Sequence, residues 1–152
     1  MDCRTVNYAA RLSYREDKGT IGMPEEPDEE SGIDEKIRLL VALVRSSKYC
    51  VVLTGAGIST AAGISDFRGP NGVWTLEARG ISVSATDNSV FEIAQPTLTH
   101  MSIVGLVNAG IVKHVISQNV DGLHLRSGLA RHSLSELHGN LFSEVCTIFM
   151  KC

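Results

Sequence analysis

A run of glycines and small residues at positions 54–69 follows a short apolar segment and could hold an anion. Gly55 and Gly57 form a turn whose bare main-chain N–H groups can approach a phosphate. The run continues into Asp66-Phe67-Arg68, which offers an acceptor for an amide, a flat ring and a bidentate phosphate donor. The pattern indicates a dinucleotide site. Two alternatives stay open: a tight turn that binds nothing, and a polar loop with one core aromatic residue.

Two further polar clusters each follow a segment that reads as a strand. Gln118, Asn119 and Asp121 come first, at the position where α/β sheets place ligand contacts. Their side chains suit ribose hydroxyls, although an ordinary Asn/Asp/Gly turn would look the same. His138, followed by Gly139, could serve as a general base near neutral pH. A lone histidine is more often structural, so that alternative stays open too.

The segments that must position these clusters predict an α/β fold with a parallel sheet and a crevice at the carboxyl ends of its strands. Apolar residues recur at helical spacing before the first strand, where Ser31 and Asp34 are candidate caps. The predicted elements are a helix at about 33–46, a buried strand at 49–53, a short helix at 58–64, an irregular excursion at 73–95, a helix capped by Thr97 or Thr99 and ended by Gly110, and strands at 112–117 and 134–137.

Composition predicts one globular domain in a reducing compartment. The chain has 152 residues, 43% of them hydrophobic and 20% charged, with four cysteines and no run as long as a membrane span. The net charge of −3 is uneven: residues 1–35 carry ten acidic and four basic side chains, and the remainder carries seven and ten. The acidic run at 24–30 predicts a solvated linker, with a binding tail as the alternative. The mildly basic remainder tolerates an anionic cofactor but gives no nucleic-acid or membrane signal.

The glycine turn departs from the fingerprint of ordinary NAD oxidoreductases. Thr60 occupies the position of the third glycine, and Glu77, at the distance of the usual ribose-binding acid, does not follow a strand. These departures and the His138-Gly139 pair count against a hydride-transferring enzyme.

Taken together, the motifs GAGIS with GISDFRG, QNVDGLH and ELHGN resemble the sirtuins, which are NAD-dependent protein deacylases and ADP-ribosyl transferases. The resemblance covers about residues 33–146. The segments VNYAA at 6–10, DKG at 17–19 and GPNGVW at 69–74 resemble the nuclear class IV branch, sirtuins six and seven. Ser65 stands where the family usually has proline, which loosens the turn without removing a functional group.

The resemblance implies the N-terminal half of a Rossmann-like parallel sheet that binds NAD. It implies a pyrophosphate cradle at Ala56, Gly57 and Thr60, with Arg68 on phosphate. His138 would be the general base on a ribose hydroxyl, with Asn119 as the second catalytic residue. The implied cofactor contacts are Gly55, Ala56, Gly57, Thr60, Ile64, Asp66, Phe67, Arg68, Trp74, Gln118, Asn119, Asp121 and His138.

The family also carries a structural zinc on two Cys-x-x-Cys pairs, and here that site is expected to be incomplete. Cys146 stands where the first pair would open, Phe149 occupies its partner's position, and Cys152 follows at a wider spacing. We therefore expect an irregular acidic extension at 1–31, a partial catalytic domain at 32–146 and a divergent tail at 147–152. On this interpretation the chain is a truncated sirtuin of marginal stability.

The function that the resemblance implies is NAD-dependent deacetylation of protein lysine, with an acetylated histone tail as substrate, chromatin as a possible partner and the nucleus as location. The alternative is a catalytically impaired fragment that binds partners or competes with a complete sirtuin.

Overall fold

The computed structural model describes residues 16–81 and 89–143 as a three-stranded parallel sheet with helices. No helix in these two ranges is long and apolar enough to cross a membrane. The elements are α1 (Glu30–Ser46), β1 (Cys50–Thr54), 3-10 turns at Ala56–Ile58 and Thr60–Ala62, α2 (Val73–Ala78), α3 (Ser89–Ile93), α4 (Leu98–Asn108), β2 (Val112–Ser117), α5 (Leu123–Arg126), a 3-10 turn at Arg131–Ser133 and β3 (Leu134–Glu136).

The sheet brings the carboxyl ends of its strands into line. The strand order is β1-β2-β3, and Ser117 pairs with Thr54 on one side and Glu136 on the other. The ladder runs on past the strands, since Gln118 N–H donates to Thr54 O at 3.1 Å, a length typical of such bonds. The loops that follow the three strands therefore start at one edge, which confirms the predicted α/β class and the place of its crevice.

One apolar core cluster lies between α4 and β2. Ile103 and Val104 of the helix pack against Val112 and Val115 of the strand, and Leu129 completes the cluster. Burial of such apolar side chains is the main favourable term in folding. The helix begins after Thr97 and the chain turns at a left-handed glycine two residues beyond its end, as predicted.

The first strand is covered on one face only, so the prediction of a fully buried strand was wrong. Val51 and Leu53 are 42% and 63% exposed, although their neighbours alternate inward. Helix α1 likewise buries none of its residues and leaves Ile37, Leu40 and Leu43 exposed. Apolar side chains on α1 and on β1 are thus open to solvent within the described residues.

Other local predictions needed correction. The alanine-rich run at 58–64 forms two 3-10 turns, because the chain turns back at Gly63 with φ +86° before an α-helix can develop. The supposedly irregular segment at 73–95 contains α2 and α3, where tertiary burial of Val73 and Trp74 outweighs the lack of a clean period. Neither Ser31 nor Asp34 caps α1, whose N-cap position is Glu29 without a side-chain cap.

Candidate functional site

One cavity of about 320 Å³ opens at the carboxyl edge of the sheet. The loops after all three strands contribute to its wall, together with α2 and Phe91. It gathers twelve of the thirteen implied cofactor residues: Gly55, Ala56, Gly57, Ile64, Asp66, Phe67, Arg68, Trp74, Gln118, Asn119, Asp121 and His138.

Two of the named residues fall elsewhere. Thr60 lines a neighbouring groove, and its hydroxyl donates to Gly57 O at 3.0 Å, so it supports the glycine turn from outside the cavity. Cys146 lies outside the described residues. Within residues 16–81 and 89–143, no group of three or more His, Cys, Asp or Glu side chains could hold a metal ion.

The glycine turn is fastened to the loop after β2 by side chains. Ser59, fully buried, donates to Asp121 Oδ2 at 2.6 Å. Asn119 Nδ2 donates to Gly55 O at 3.0 Å, and lies 3.3 Å from the Ser59 hydroxyl. Asp121 Oδ1 accepts from Leu123 N–H at 2.9 Å, so both oxygens of this buried carboxylate are bonded. The two loops therefore form one unit.

Ser59 is the main residue of this unit that sequence reasoning missed. It was part of the GAGIS motif, but a serine in a glycine-rich turn carries no local sign of a carboxylate partner 62 positions away.

The loop from Asp66 to Gly72 is a tight structure held by its own main chain. Asp66 Oδ2 accepts from Gly69 N–H at 3.2 Å, and Val73 N–H donates back to Asp66 O at 2.9 Å. At Gly72 a Cβ atom would lie 2.6 Å from the carbonyl carbon of Phe67, a distance that excludes any side chain. The Asp66 carboxylate thus shapes the loop as well as lining the cavity.

Two aromatic rings and a guanidinium form one wall of the cavity. The rings of Phe67 and Trp74 lie 5.0 Å apart at 42°, and Arg68 Cζ lies 4.6 Å from the centre of the Trp74 ring. Trp74 is 3% exposed, and its buried Nε1 has no hydrogen-bond partner among the described residues. A ligand with a flat ring and an anionic group could stack its ring on the aromatic side chains of this wall and pair its anionic group with the guanidinium.

His138 lies exposed at the mouth of the cavity, on the turn after β3. Gly139 closes the turn with φ +78° and donates its N–H to Glu136 O at 3.3 Å. Asn140 Nδ2 donates to Glu136 Oε1 at 2.7 Å and braces the same turn. The main chain that carries His138 is therefore braced, and its exposed imidazole lies where a second substrate can reach it.

Behind the cavity, two buried histidines pack edge to face with ring centres 4.9 Å apart. His124 Nε2 bonds the Thr54 hydroxyl at 2.9 Å, and His100 Nδ1 accepts from Thr97 N–H at 3.2 Å. Burial lowers the pKa of His124 to about 4, helped by the nearby His100 and opposed by Asp121. Burial also lowers the pKa of His100. Both rings are neutral at pH 7 and serve as polar packing, the structural alternative for a lone histidine.

Comparison with known proteins identifies the family. The Sir2 family model matches residues 77–151. The NAD-dependent protein deacetylase sirtuin-7 of Homo sapiens is 61% identical over 123 residues, which are 81% of this chain and 29% of that protein. The NAD-dependent protein deacetylase Sirt6 of Drosophila melanogaster is 53% identical over 142 residues, 93% of this chain and 44% of that protein.

The chain belongs to the Sir2 family. Its likeness to sirtuin-7 and Sirt6 supports the class IV branch that the sequence predicted. A solved structure described as Sir2-p53 peptide-NAD+ is similar with a TM-score of 0.56 and 36% identity, covering 68% of this chain and 46% of that one. The Rossmann-like Sir2 fold is thereby confirmed. The chain spans between 29% and 49% of the length of the curated relatives it matches.

Proposed function

We propose that this Sir2 chain carries the nicotinamide end and the catalytic end of an NAD-dependent protein-lysine deacetylase site. One observation carries the proposal: the single cavity described above brings the glycine turn, the 66–72 loop, the 118–121 loop and His138 together. They come from three separate parts of the sequence, and the parallel sheet brings them together at the carboxyl ends of its strands. The relatives named NAD-dependent protein deacetylases support the same activity.

The donor set fits NAD. Arg68 supplies a planar guanidinium for a phosphate, while Phe67 and Trp74 supply flat surfaces for nicotinamide. Asn119, with its amide nitrogen bonded to Gly55 O, turns an acceptor toward a ribose hydroxyl. Cβ atoms built at Gly55 and Gly57 would meet nothing within 4 Å, so the turn leaves open space for the pyrophosphate. Asp66 and Ile64 would receive the carboxamide, and Gln118 the ribose.

When bound, NAD would supply an ADP-ribosyl group to the oxygen of acetyl-lysine, with nicotinamide as the leaving group. The residues of this chain would position the substrates and exclude water. The aromatic wall would cover the nicotinamide side, and the hydrogen bond between buried Ser59 and Asp121 fixes the floor of the cavity. His138 would take a proton from a ribose hydroxyl, and its exposed place at the cavity mouth leaves room for the acylated lysine.

The finer assignments are part of the proposal. An acetylated histone tail is the proposed substrate, and chromatin in the nucleus the proposed setting, on the strength of the class IV likeness. One similar structure, Sir2 bound to acetylated peptide, contains a substrate of the proposed chemistry. That the family's zinc site is incomplete here, with Cys146 as a remnant of its first cysteine pair, remains a prediction.

Calorimetry with NAD tests the proposal directly. We expect saturable binding by the wild-type chain and at least a tenfold weaker affinity for Asn119→Ala, a loss of about 1.4 kcal/mol. His138→Ala should still bind NAD but lose NAD-dependent removal of acetyl groups from a histone peptide, read by mass spectrometry. His132→Ala, which removes an exposed histidine outside the cavity, is the matched control. Absence of NAD binding by the wild type would contradict the proposed function.

The second candidate, a binding fragment without catalysis, makes a different prediction in the same experiment. It expects NAD binding with no turnover by the wild type, whatever residue occupies position 138. The open apolar surface of α1 and β1 favours it, since that surface could meet a partner.

A further inference from the structure

The chain segment at residues 17–22, here called the strap, lies on the loop that carries Arg68. Lys18 O accepts from Arg68 Nε at 2.8 Å, and Gly22 N–H donates to Arg68 O at 2.9 Å. Lys18 Nζ also pairs with Glu77 at 2.7 Å across 59 positions of sequence. The strap therefore holds both the side chain and the main chain of Arg68. None of its residues lines the cavity.

The course of the strap depends on two left-handed glycines. Gly19 has φ +66° and donates its N–H to Asp17 Oδ1 at 2.9 Å. Gly22 has φ +69°, and a Cβ there would lie 3.1 Å from Thr75 Cγ2. Side chains rarely adopt this conformation, so the strap passes close to α2 only because these positions are glycine.

Arg68 is thus held from two directions. Its Nε is bonded to the strap, and its Cζ lies over the Trp74 ring. Because a guanidinium is planar and its N–H groups form a fixed fork, bonding one of them sets the direction of the others. An arginine ordered before the ligand arrives loses less side-chain freedom on binding, which increases affinity.

We propose that the strap is a positioning element that orients Arg68 for the pyrophosphate of NAD. The strap acts through Arg68 and touches no ligand itself. This inference rests on the proposed function for the identity of the anion, but the orienting contact is a property of the unliganded chain.

Trp74 provides a readout that needs neither NAD nor activity. It is the only tryptophan of the chain, and it is shielded beneath Arg68 and against Phe67. If the strap is displaced, Arg68 leaves the ring and a neutral quencher such as acrylamide reaches Trp74 more readily.

The decisive pair of variants is Gly22→Val and Gly80→Val. Both positions have left-handed glycines, with φ +69° and +72°, so both carry the backbone strain. A Cβ at position 80 meets nothing within 4 Å, whereas one at 22 meets Thr75. We expect Gly22→Val to raise quenching of Trp74 and weaken NAD binding about fivefold, the effect of one arginine losing its preset orientation. Gly80→Val should do neither.

A charge reversal provides an independent test that spares the glycines. Lys18→Glu should raise Trp74 quenching and weaken NAD binding, because it places two carboxylates together, and the added exchange Glu77→Lys should restore both. Unchanged quenching of Trp74 in Gly22→Val and Lys18→Glu, or an equal change in Gly80→Val, would overturn the proposal that the strap positions Arg68. If the wild type binds no NAD, the proposed function fails, while the quenching of Trp74 still tests whether the strap positions Arg68. If the wild type binds NAD and quenching never changes, only the strap fails.

Discussion

Acidification should destabilise this chain through His124, and His124→Gln should remove that part of the effect. In the fold His124 is 2% exposed, and burial lowers its pKa to about 4. In the unfolded chain a histidine titrates near pH 6.5. Between these values the unfolded state binds the proton and the folded state does not, so the free energy of unfolding falls as pH falls. Above pH 6.5 this penalty is absent.

The size of the effect follows from the two pKa values. A difference of about 2.5 units corresponds to about 3 kcal/mol once the pH lies below both. Between pH 7 and pH 5 the same relation gives about 2 kcal/mol, a large fraction of the roughly 5–15 kcal/mol typical of a domain. Glutamine keeps a polar atom near the position of Nε2 for the bond to Thr54, and it does not titrate.

Urea unfolding curves of the wild type and His124→Gln, measured from pH 7 to pH 5, supply the test. The difference in unfolding free energy between the two should change by about 2 kcal/mol in favour of the variant as pH falls. Carboxylates titrate in both proteins and cancel in that difference. His132→Gln controls for the loss of one exposed imidazole. If the wild type and His124→Gln lose stability in parallel, the buried neutral histidine does not set the acid response.

Four further substitutions test the packing and the exposed apolar surface. Gly72→Ala should lower Tm by several degrees, because its Cβ would lie 2.6 Å from a main-chain carbon, whereas Gly57→Ala has open space and should leave Tm nearly unchanged; differential scanning fluorimetry compares them. Ser59→Ala should cost about 1–3 kcal/mol in chemical denaturation and weaken NAD binding in calorimetry, because it leaves an oxygen of buried Asp121 unbonded. Leu43→Gln should change unfolding free energy by less than about 0.5 kcal/mol but reduce binding of a hydrophobic dye, since Leu43 is 69% exposed.

The sequence predicted the sheet well because its signals are local. Short apolar segments bounded by glycine turns predicted β2 at its observed bounds and β1 to within one residue. Parallel strands place their carboxyl ends at one edge, so the polar clusters after Thr54, Ser117 and Glu136 had to converge there. Twelve of the thirteen named residues accordingly line one cavity, although their roles toward NAD stay predictions.

The contacts that hold the cavity in shape could not be predicted in this way. The Ser59–Asp121 bond spans 62 positions, the bond from Arg68 to the strap 50, and the bond between Thr54 and His124 70. Periodicity reports which face of an element is buried but not which distant side chain it meets. The short helix predicted at 58–64 failed for the same reason, because Ser59 bonds across to Asp121 and the chain reverses at Gly63.

Several residues that shape the cavity would not contact a ligand themselves, and this has a consequence for interpreting variants. Ser59 and Asp121 use their polar atoms on each other, His124 lies behind the turn, and the strap reaches the cavity only through Arg68. A substitution at any of these positions would weaken NAD binding by moving a wall, which an activity assay would not distinguish from a lost ligand contact. For positions that do not touch Trp74, the environment of Trp74 in the unliganded chain makes that distinction, because a moved wall changes it and a lost ligand contact does not.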